Sequence, residues 1–323
     1  MEIFKKVKIF DFVAYSKYGL ILSVFLTIGA LVLFFTQGFT PGIDFAGGSS
    51  AQIRFEGTAP IAKVREILEK TDGFKGSQVS EYGSNRELLI KIPYTDIFGK
   101  KNLNEILETT LSSVGKFEIR KLDTVGPKVG SELKHKGILS LVLATVAMML
   151  YVSFRYEWRF ALAGIIALVH DVIITAASVI VFKIDLNLEV IAALLTLLGY
   201  SINDTIIVFD RIREKMLTDK SNDITEVINE AISSTLARTL LTSLTVFFVV
   251  LTLYIFGGEN IVGFSLPMLF GVVFGTYSSM FVAPKLAIIF GFDIEKYHQK
   301  EIQKAKKIQE KERLRQMYEN GRI

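Results

Sequence analysis

The chain has 323 residues, half of them hydrophobic, with a net charge of +4 and no cysteine. Without cysteine there are no thiolate zinc sites, iron–sulfur clusters or cysteine nucleophiles. The mean hydropathy is +0.40, and the apolar residues gather into runs of roughly 20, enough to cross a hydrocarbon core about 30 Å thick. That distribution argues against a soluble enzyme, a disordered chain and a disulfide scaffold.

Residues 1–17 form a basic N-terminal segment, and residues 18–36 the first span. Its apolar run is too long for a cleavable signal peptide, and no small-residue cleavage site follows, so it reads as a retained anchor. Residues 40–136 make the largest loop and read as a folded α+β domain. Ser49 to Phe55 alternates like a strand, and Ile61 to Leu68 has helical spacing. Gln78 to Tyr82 and Glu87 to Ile92 are strand-like, with Gly83-Ser84-Asn85 as the turn between them. Leu103 to Leu111 is an amphipathic helix and Phe117 to Leu122 a last strand. The order β-α-β-β-α-β predicts a ferredoxin-like split βαβ fold.

Residues 137–290 hold five more spans. They run from Gly137 to Phe154, Phe160 to Phe182, Leu188 to Phe209, and twice between Ala237 and Phe290. The last two are separated by the turn signal Gly257-Gly258-Glu259-Asn260. Residues 291–323 are a charged tail with helical spacing. It suits a solvated helix or a contact with anionic lipid or a negatively charged ribosomal or motor surface. The fold class is therefore a polytopic α-helical membrane protein of six transmembrane helices carrying one extracytoplasmic α+β domain.

Basic residues in short loops set the orientation. Lys5, Lys6, Lys8 and Lys17 precede the first span. Arg155 and Arg159 lie between the second and third, and Arg211, Arg213 and Lys215 follow the fourth. Lys296, Lys300, Lys304, Lys306 and Lys307 follow the sixth. An even number of spans puts all of these, and both termini, in the cytoplasm, and places the 40–136 domain outside.

Ionisable residues inside spans cost roughly 2.5–3.5 kcal/mol each on insertion scales and usually face a bundle interior or a water path. Asp171, beside His170, sits near the middle of the third span. Asp204 lies in the fourth, flanked by Asn203 and Thr205, and Arg238 near the start of the fifth. Asp204 precedes Asp210 by six residues, so it lies roughly 9 Å inside it. Thr196, Tyr200, Asn203 and Asp204 share one side of that helix. Asp204 and Arg238 suit either a static salt bridge or a protonatable carboxylate governed by a nearby cation. Asp171 suits a buried hydrogen-bonding anchor at least as well as a place on a proton path. Gly271, Gly275, Ser279 and Ala283 recur at four-residue intervals, a spacing that lets helices approach closely. Pro267 suits a bend in the last span.

Four segments together resemble the SecD/SecF family of the bacterial protein-export machinery. They are Gly42-Ile43-Asp44-Phe45-Ala46-Gly47-Gly48, Val125-Gly126-Pro127-Lys128-Val129-Gly130, Gly199-Tyr200-Ser201-Ile202-Asn203-Asp204-Thr205 with Val208 to Glu214, and Gly275-Thr276-Tyr277-Ser278-Ser279. The Ser-Ile-Asn-Asp-Thr form is similar to the SecF branch, as is the single small loop domain. The resemblance implies a six-span bundle of the resistance-nodulation-division superfamily in the bacterial plasma (inner) membrane. Its implied partners are SecD, the SecYEG channel, often YajC, SecA indirectly, the translocating preprotein and membrane lipid, with no nucleic acid.

The resemblance further implies use of the proton-motive force in late, SecA-independent steps of export. It makes Asp204 and Arg238 the essential intramembrane pair; Asn203, Thr205 and Asp171, polar residues in the same spans, complete the candidate proton pathway. Gly42, Asp44, Gly47 and Gly48 would be a hinge or domain junction, and Gly271, Gly275 and Ser279 a helix-packing seam. Two other classes stay open: a passive scaffold for SecYEG and SecD, and half of a proton-driven small-molecule exporter. An intramembrane aspartyl protease lacks its Gly-x-Gly-Asp context, and no Gly-x-x-x-x-Gly-Lys-Ser/Thr loop supports ATP hydrolysis. The expectation is thus a transport subunit that is not an enzyme, with no catalytic residues, cofactor or metal.

Overall fold

The computed structural model describes residues 8–98, 102–218, 223–291 and 294–319. Its elements in chain order begin with α1 (Phe12–Thr36), the short α2 (Ile43–Ala46), β1 (Gly48–Phe55) and α3 (Ile61–Lys70). Then come β2 (Gln78–Tyr82), β3 (Ser84–Pro93), α4 (Leu103–Leu111) and β4 (Phe117–Val125). The long helices follow: α5 (Pro127–Arg155), α6 (Trp158–Val181), α7 (Leu188–Thr218) and α8 (Ile224–Phe256). The chain continues through α9 (Val262–Tyr277), a π-helical turn at Ser278–Val282, α10 (Ala283–Ile289) and α11 (Ile294–Glu319).

Six helices are long and apolar enough to cross a membrane, with α9, the π turn and α10 counted as one. They fall into two layers. More than half of the apolar stretch of α6, α7 and α9–α10 is buried, whereas α1, α5 and α8 leave most of theirs exposed. Small residues explain the inner layer, because Ala163, Gly164, Ala167, Ala176 and Ala177 on α6 let neighbouring backbones come close. The outer layer presents Phe25, Phe154 and Phe248 outward, as a helix solvated by acyl chains can do without cost.

The sheet has the order β2-β3-β1-β4, every pair antiparallel. This is the ferredoxin-like arrangement expected from the sequence. Register sets Ala51 opposite Ile90 and Ile53 opposite Leu88. One face of the sheet thereby meets Val64 and Leu68 of α3 and Leu107 and Leu111 of α4 around Phe74. Period-2 alternation on β1 and helical spacing on α3 and α4 make that core inevitable once the strands pair.

Some boundaries differ from the sequence reading. Helix α1 starts six residues before Tyr18, because Asp11 accepts from the Ala14 amide at 3.0 Å and from Asn229 Nδ2 at 2.9 Å. Helix α5 starts at Pro127, so the last ten residues of the 40–136 range are helical. Proline is pre-set for the first helical turn. The turn between β2 and β3 is Gly83 alone, at φ +65°, since Ser84 already pairs with Tyr82. Pro267 lies inside α9, and Gly257 ends α8 as expected. The charged tail is helical through α11.

Candidate functional site

Helices α7, α8 and α9 meet at a polar point inside the apolar bundle. Asp204 of α7 is fully buried there. Ser243 of α8 donates to its Oδ2 at 3.4 Å, and the Ser243 and Thr276 hydroxyls lie 2.6 Å apart. The other carboxylate oxygen, Oδ1, has no hydrogen-bond partner, and neither has the buried Thr239 hydroxyl. A buried carboxylate with one oxygen free is poorly stabilised as an anion, because low-dielectric surroundings leave its charge uncompensated.

Arg238 is carried by α8, five residues before Ser243. Its side chain is exposed on the bundle surface and forms no ion pair among the described residues. The static salt bridge left open by the sequence is not formed. Asn203 also points outward, while Thr205 is buried and donates to the Ser201 carbonyl at 3.3 Å. The polar side of α7 read from the sequence is therefore divided. Thr196 and Asn203 are exposed, Tyr200 is half-buried, and Asp204 faces the interior.

Asp171 occupies a second buried point, with no exposure. It accepts from Ser201 Oγ at 2.5 Å, from Ser278 Oγ at 2.6 Å, and contacts His170 Nδ1 at 2.8 Å. These bonds tie α6 to α7 and to the π turn. The wide turn carries an extra residue per loop, and it presents Ser278 to Asp171 while Thr276, two residues earlier, faces Ser243. Ser201 and Asp204 are one helical turn apart on α7, so the two buried carboxylates are neighbours through α7 and α9. Ser201, Ser243, Thr276 and Ser278 were not singled out as partners in the sequence. Hydroxyls three or four residues from an intramembrane Asp were the available signal.

Helix α9 lies close on α7 at its glycines. A Cβ at Gly271 would stand 2.7 Å from Leu197 Cδ1, and one at Gly275 would stand 3.3 Å from Ser201 Cβ. Ser279 is buried and donates to the Thr276 carbonyl at 2.9 Å. Gly271→Ala should therefore destabilise the bundle by about 1–3 kcal/mol through overpacking. Adding Leu197→Ala should recover most of that loss, which thermal unfolding in detergent would show as a non-additive pair.

The Gly42 to Gly48 segment lies at the far end of α7. The Gly42 amide donates to the Leu186 carbonyl at 2.8 Å, and the Leu186 amide to the Thr40 carbonyl at 2.7 Å. Asp44 Oδ2 accepts from the Leu188 amide at 3.1 Å. Phe45 is buried, with its ring near Gly137 of α5. Gly47 has φ +80° and lies against Pro127, where a Cβ would be 3.0 Å from Pro127 Cα. Lys91 of β3 pairs with Asp185 at 2.8 Å, and Ser80 of β2 donates to Glu259 at 2.8 Å. Both contacts border a cleft of about 640 Å³ between the sheet and the helix ends.

Residues 106–293 match the family model described as the C-terminal region of protein export membrane protein SecD/SecF, and residues 32–59 match the SecD/SecF GG motif. A protein translocase subunit SecF from Helicobacter pylori is 62% identical over 323 residues, all of both chains. SecF of Escherichia coli O157:H7 is 37% identical, covering 92% of this chain and 93% of its own. The crystal structure of SecDF, a translocon-associated membrane protein from Thermus, superposes with a TM-score of 0.79 at 33% identity. The match covers 90% of this chain but only 39% of that much longer one.

Proposed function

The chain belongs to the SecD/SecF family of protein-export membrane proteins, in its SecF branch, and from that premise we propose that it couples the proton-motive force to preprotein export. It acts with SecD beside the SecYEG channel, with YajC as a further neighbour, in steps that follow SecA-driven translocation. It is a transport subunit rather than an enzyme. It resides in the bacterial inner membrane with both termini cytoplasmic and the sheet domain outside. The clustering of short-loop basic residues at the end of the bundle opposite the sheet supports that orientation.

The observation that carries the reading is Asp204, fully buried, with one oxygen unpartnered among the described residues and Arg238 exposed on the adjacent α8. Protonation from outside neutralises Asp204, and release inside restores a charge that Arg238 stabilises on approach. Asp171 and Thr205 are buried on α6 and α7 beside Asp204, and Asn203 faces outward, where a partner helix would extend the path. One charge moving through 100 mV supplies about 2.3 kcal/mol, which shifts a two-state arrangement roughly fiftyfold.

The partner completes the path. Thr196, Gly199 and Asn203 on α7, and Arg238 and Thr245 on α8, are polar or small residues exposed on helices otherwise suited to lipid. Such residues are stable in a bilayer only when another polar or small-residue helix covers them, and SecD is the helix donor in this reading. The longer SecDF chain, of which this one matches 39%, supports a second half as the partner.

Preprotein uptake into inverted membrane vesicles, with and without an uncoupler, tests the reading on wild type and Asp204→Asn. A passive scaffold predicts equal uptake by both proteins and no effect of the uncoupler on their difference. The tight α7–α9 seam at Gly271 and Gly275 is the observation that favours that second reading.

A further inference from the structure

We propose that Asp44 is a positioning residue that clamps the sheet domain to α7, the helix carrying Asp204, so that axial movement of α7 is delivered to the sheet. The inference rests on the proton-coupled reading above. Asn187 is the local cap of α7, since its Oδ1 accepts from the Val190 amide at 3.1 Å. The next free amide, that of Leu188, is taken by Asp44 from a segment 144 residues earlier in the chain. The first turn of α7 is thereby bound to the loop that leads directly into β1.

Three features make this attachment rigid. Pro41 and Leu186 form an isolated parallel bridge just before the cap, with the Gly42 amide donating to the Leu186 carbonyl and the Leu186 amide to the Thr40 carbonyl. Phe45 is buried beside Gly137 of α5 and Ile191 of α7, so α2 cannot slide along the helix end without exposing it. Gly130 of α5 comes so near the Phe45, Asp44 and Gly47 backbone that a Cβ there would stand 3.1–3.2 Å from it. The sheet side is short as well, because only Gly47 separates α2 from β1.

The remaining ties between the sheet and the helix ends are of another kind. Lys91–Asp185 and Ser80–Glu259 join side chains across the cleft, and side-chain pairs at such partly exposed sites are weak and salt-screened. They can break while the backbone bonds of Thr40 and Gly42 to Leu186 and the buried Phe45 keep Asp44 beside the Leu188 amide. From Leu188 to Asp204 the helix rises on the order of 24 Å, so one rigid rod connects the buried carboxylate to the clamp.

The test uses the whole complex with SecD in proteoliposomes, under an imposed proton gradient. The chain has no cysteine, so cysteines at Lys63 on α3 and Phe256 at the end of α8 report the sheet-to-bundle distance by spin labelling against a cysteine-free partner. Wild type should show a gradient-dependent change in that distance. Asp44→Ala should reduce the responding fraction about tenfold, and hydrogen exchange at the Leu188 amide should quicken by about the same factor. Asp44→Asn retains an acceptor oxygen and should restore both.

Leu188→Pro is the second probe. It deletes the donor at the first helical position, where proline is tolerated, and should reproduce the Asp44→Ala loss with no further effect when the two are combined. Asp204→Asn should also stop the movement, but with the Leu188 amide still protected. A full distance response in both Asp44→Ala and Leu188→Pro overturns the clamp and leaves the proton reading standing. A wild type whose export responds to the gradient without any change in distance overturns the clamp in the same way.

Discussion

Asp204→Asn should abolish the gradient-dependent part of export while leaving the protein folded. The substitution keeps the volume and one carbonyl acceptor for Ser243, so packing against α8 and α9 is preserved. It replaces the buried carboxylate with an amide, which does not carry the proton. The work available from one proton through 100 mV, about 2.3 kcal/mol, is then lost, and with it a bias of roughly fiftyfold. Uptake by the variant should equal that of wild type treated with an uncoupler, and adding the uncoupler to the variant should change nothing further. Ser243→Ala should be mild by comparison. Its bond to Asp204 is long, at 3.4 Å, and such a bond contributes under about 1 kcal/mol.

Gly48→Ala should be the most damaging single methyl in the sheet domain. Gly48 has φ +141°, and a Cβ there would stand 2.4 Å from the Ile92 carbonyl oxygen. That oxygen belongs to the backbone of the paired strand, so it cannot rotate away as a side chain would. Gly115 provides the control. It has the same φ of +141° with nothing within 4 Å of the added carbon. Gly115→Ala should therefore show backbone strain alone, about 1–3 kcal/mol. Gly48→Ala adds the collision and the loss of register at the head of β1, for a total on the order of 3–5 kcal/mol. Against a domain stability of about 5–15 kcal/mol, that is enough to loosen the sheet. Limited proteolysis of membranes should cut residues 40–125 rapidly in Gly48→Ala and slowly in Gly115→Ala. Equal sensitivity of the two would mean that β3 gives way at little cost.

Both predictions depend on features of different visibility. Membrane helices and their order follow from length and composition of apolar runs, because in hydrocarbon the backbone has no alternative to internal hydrogen bonds. The βαββαβ order was equally plain, since period-2 and period-3.6 patterns differ over even a few residues. Asp171, Asp204 and Arg238 stand out because charge inside a span is costly and therefore rare, and Asp44 through the motif it shares with the family.

What needed three dimensions was the pairing of those groups. Nothing local places Ser278 against Asp171, since the π turn that aims it arises where α9 passes between α6 and α7. Likewise the sequence puts Asp204 and Arg238 in consecutive spans, but rotation about the α8 axis decides whether they touch. Packing of Ser243 and Thr239 toward α7 leaves Arg238 outside. The Asp44–Leu188 contact spans 144 residues, a distance at which periodicity carries no information. Sequence by itself therefore determined which residues bear charge, at what height in the membrane and on which helices. Tertiary structure alone decided which faces meet, because the azimuth of each helix is set by close packing of small side chains across the whole bundle.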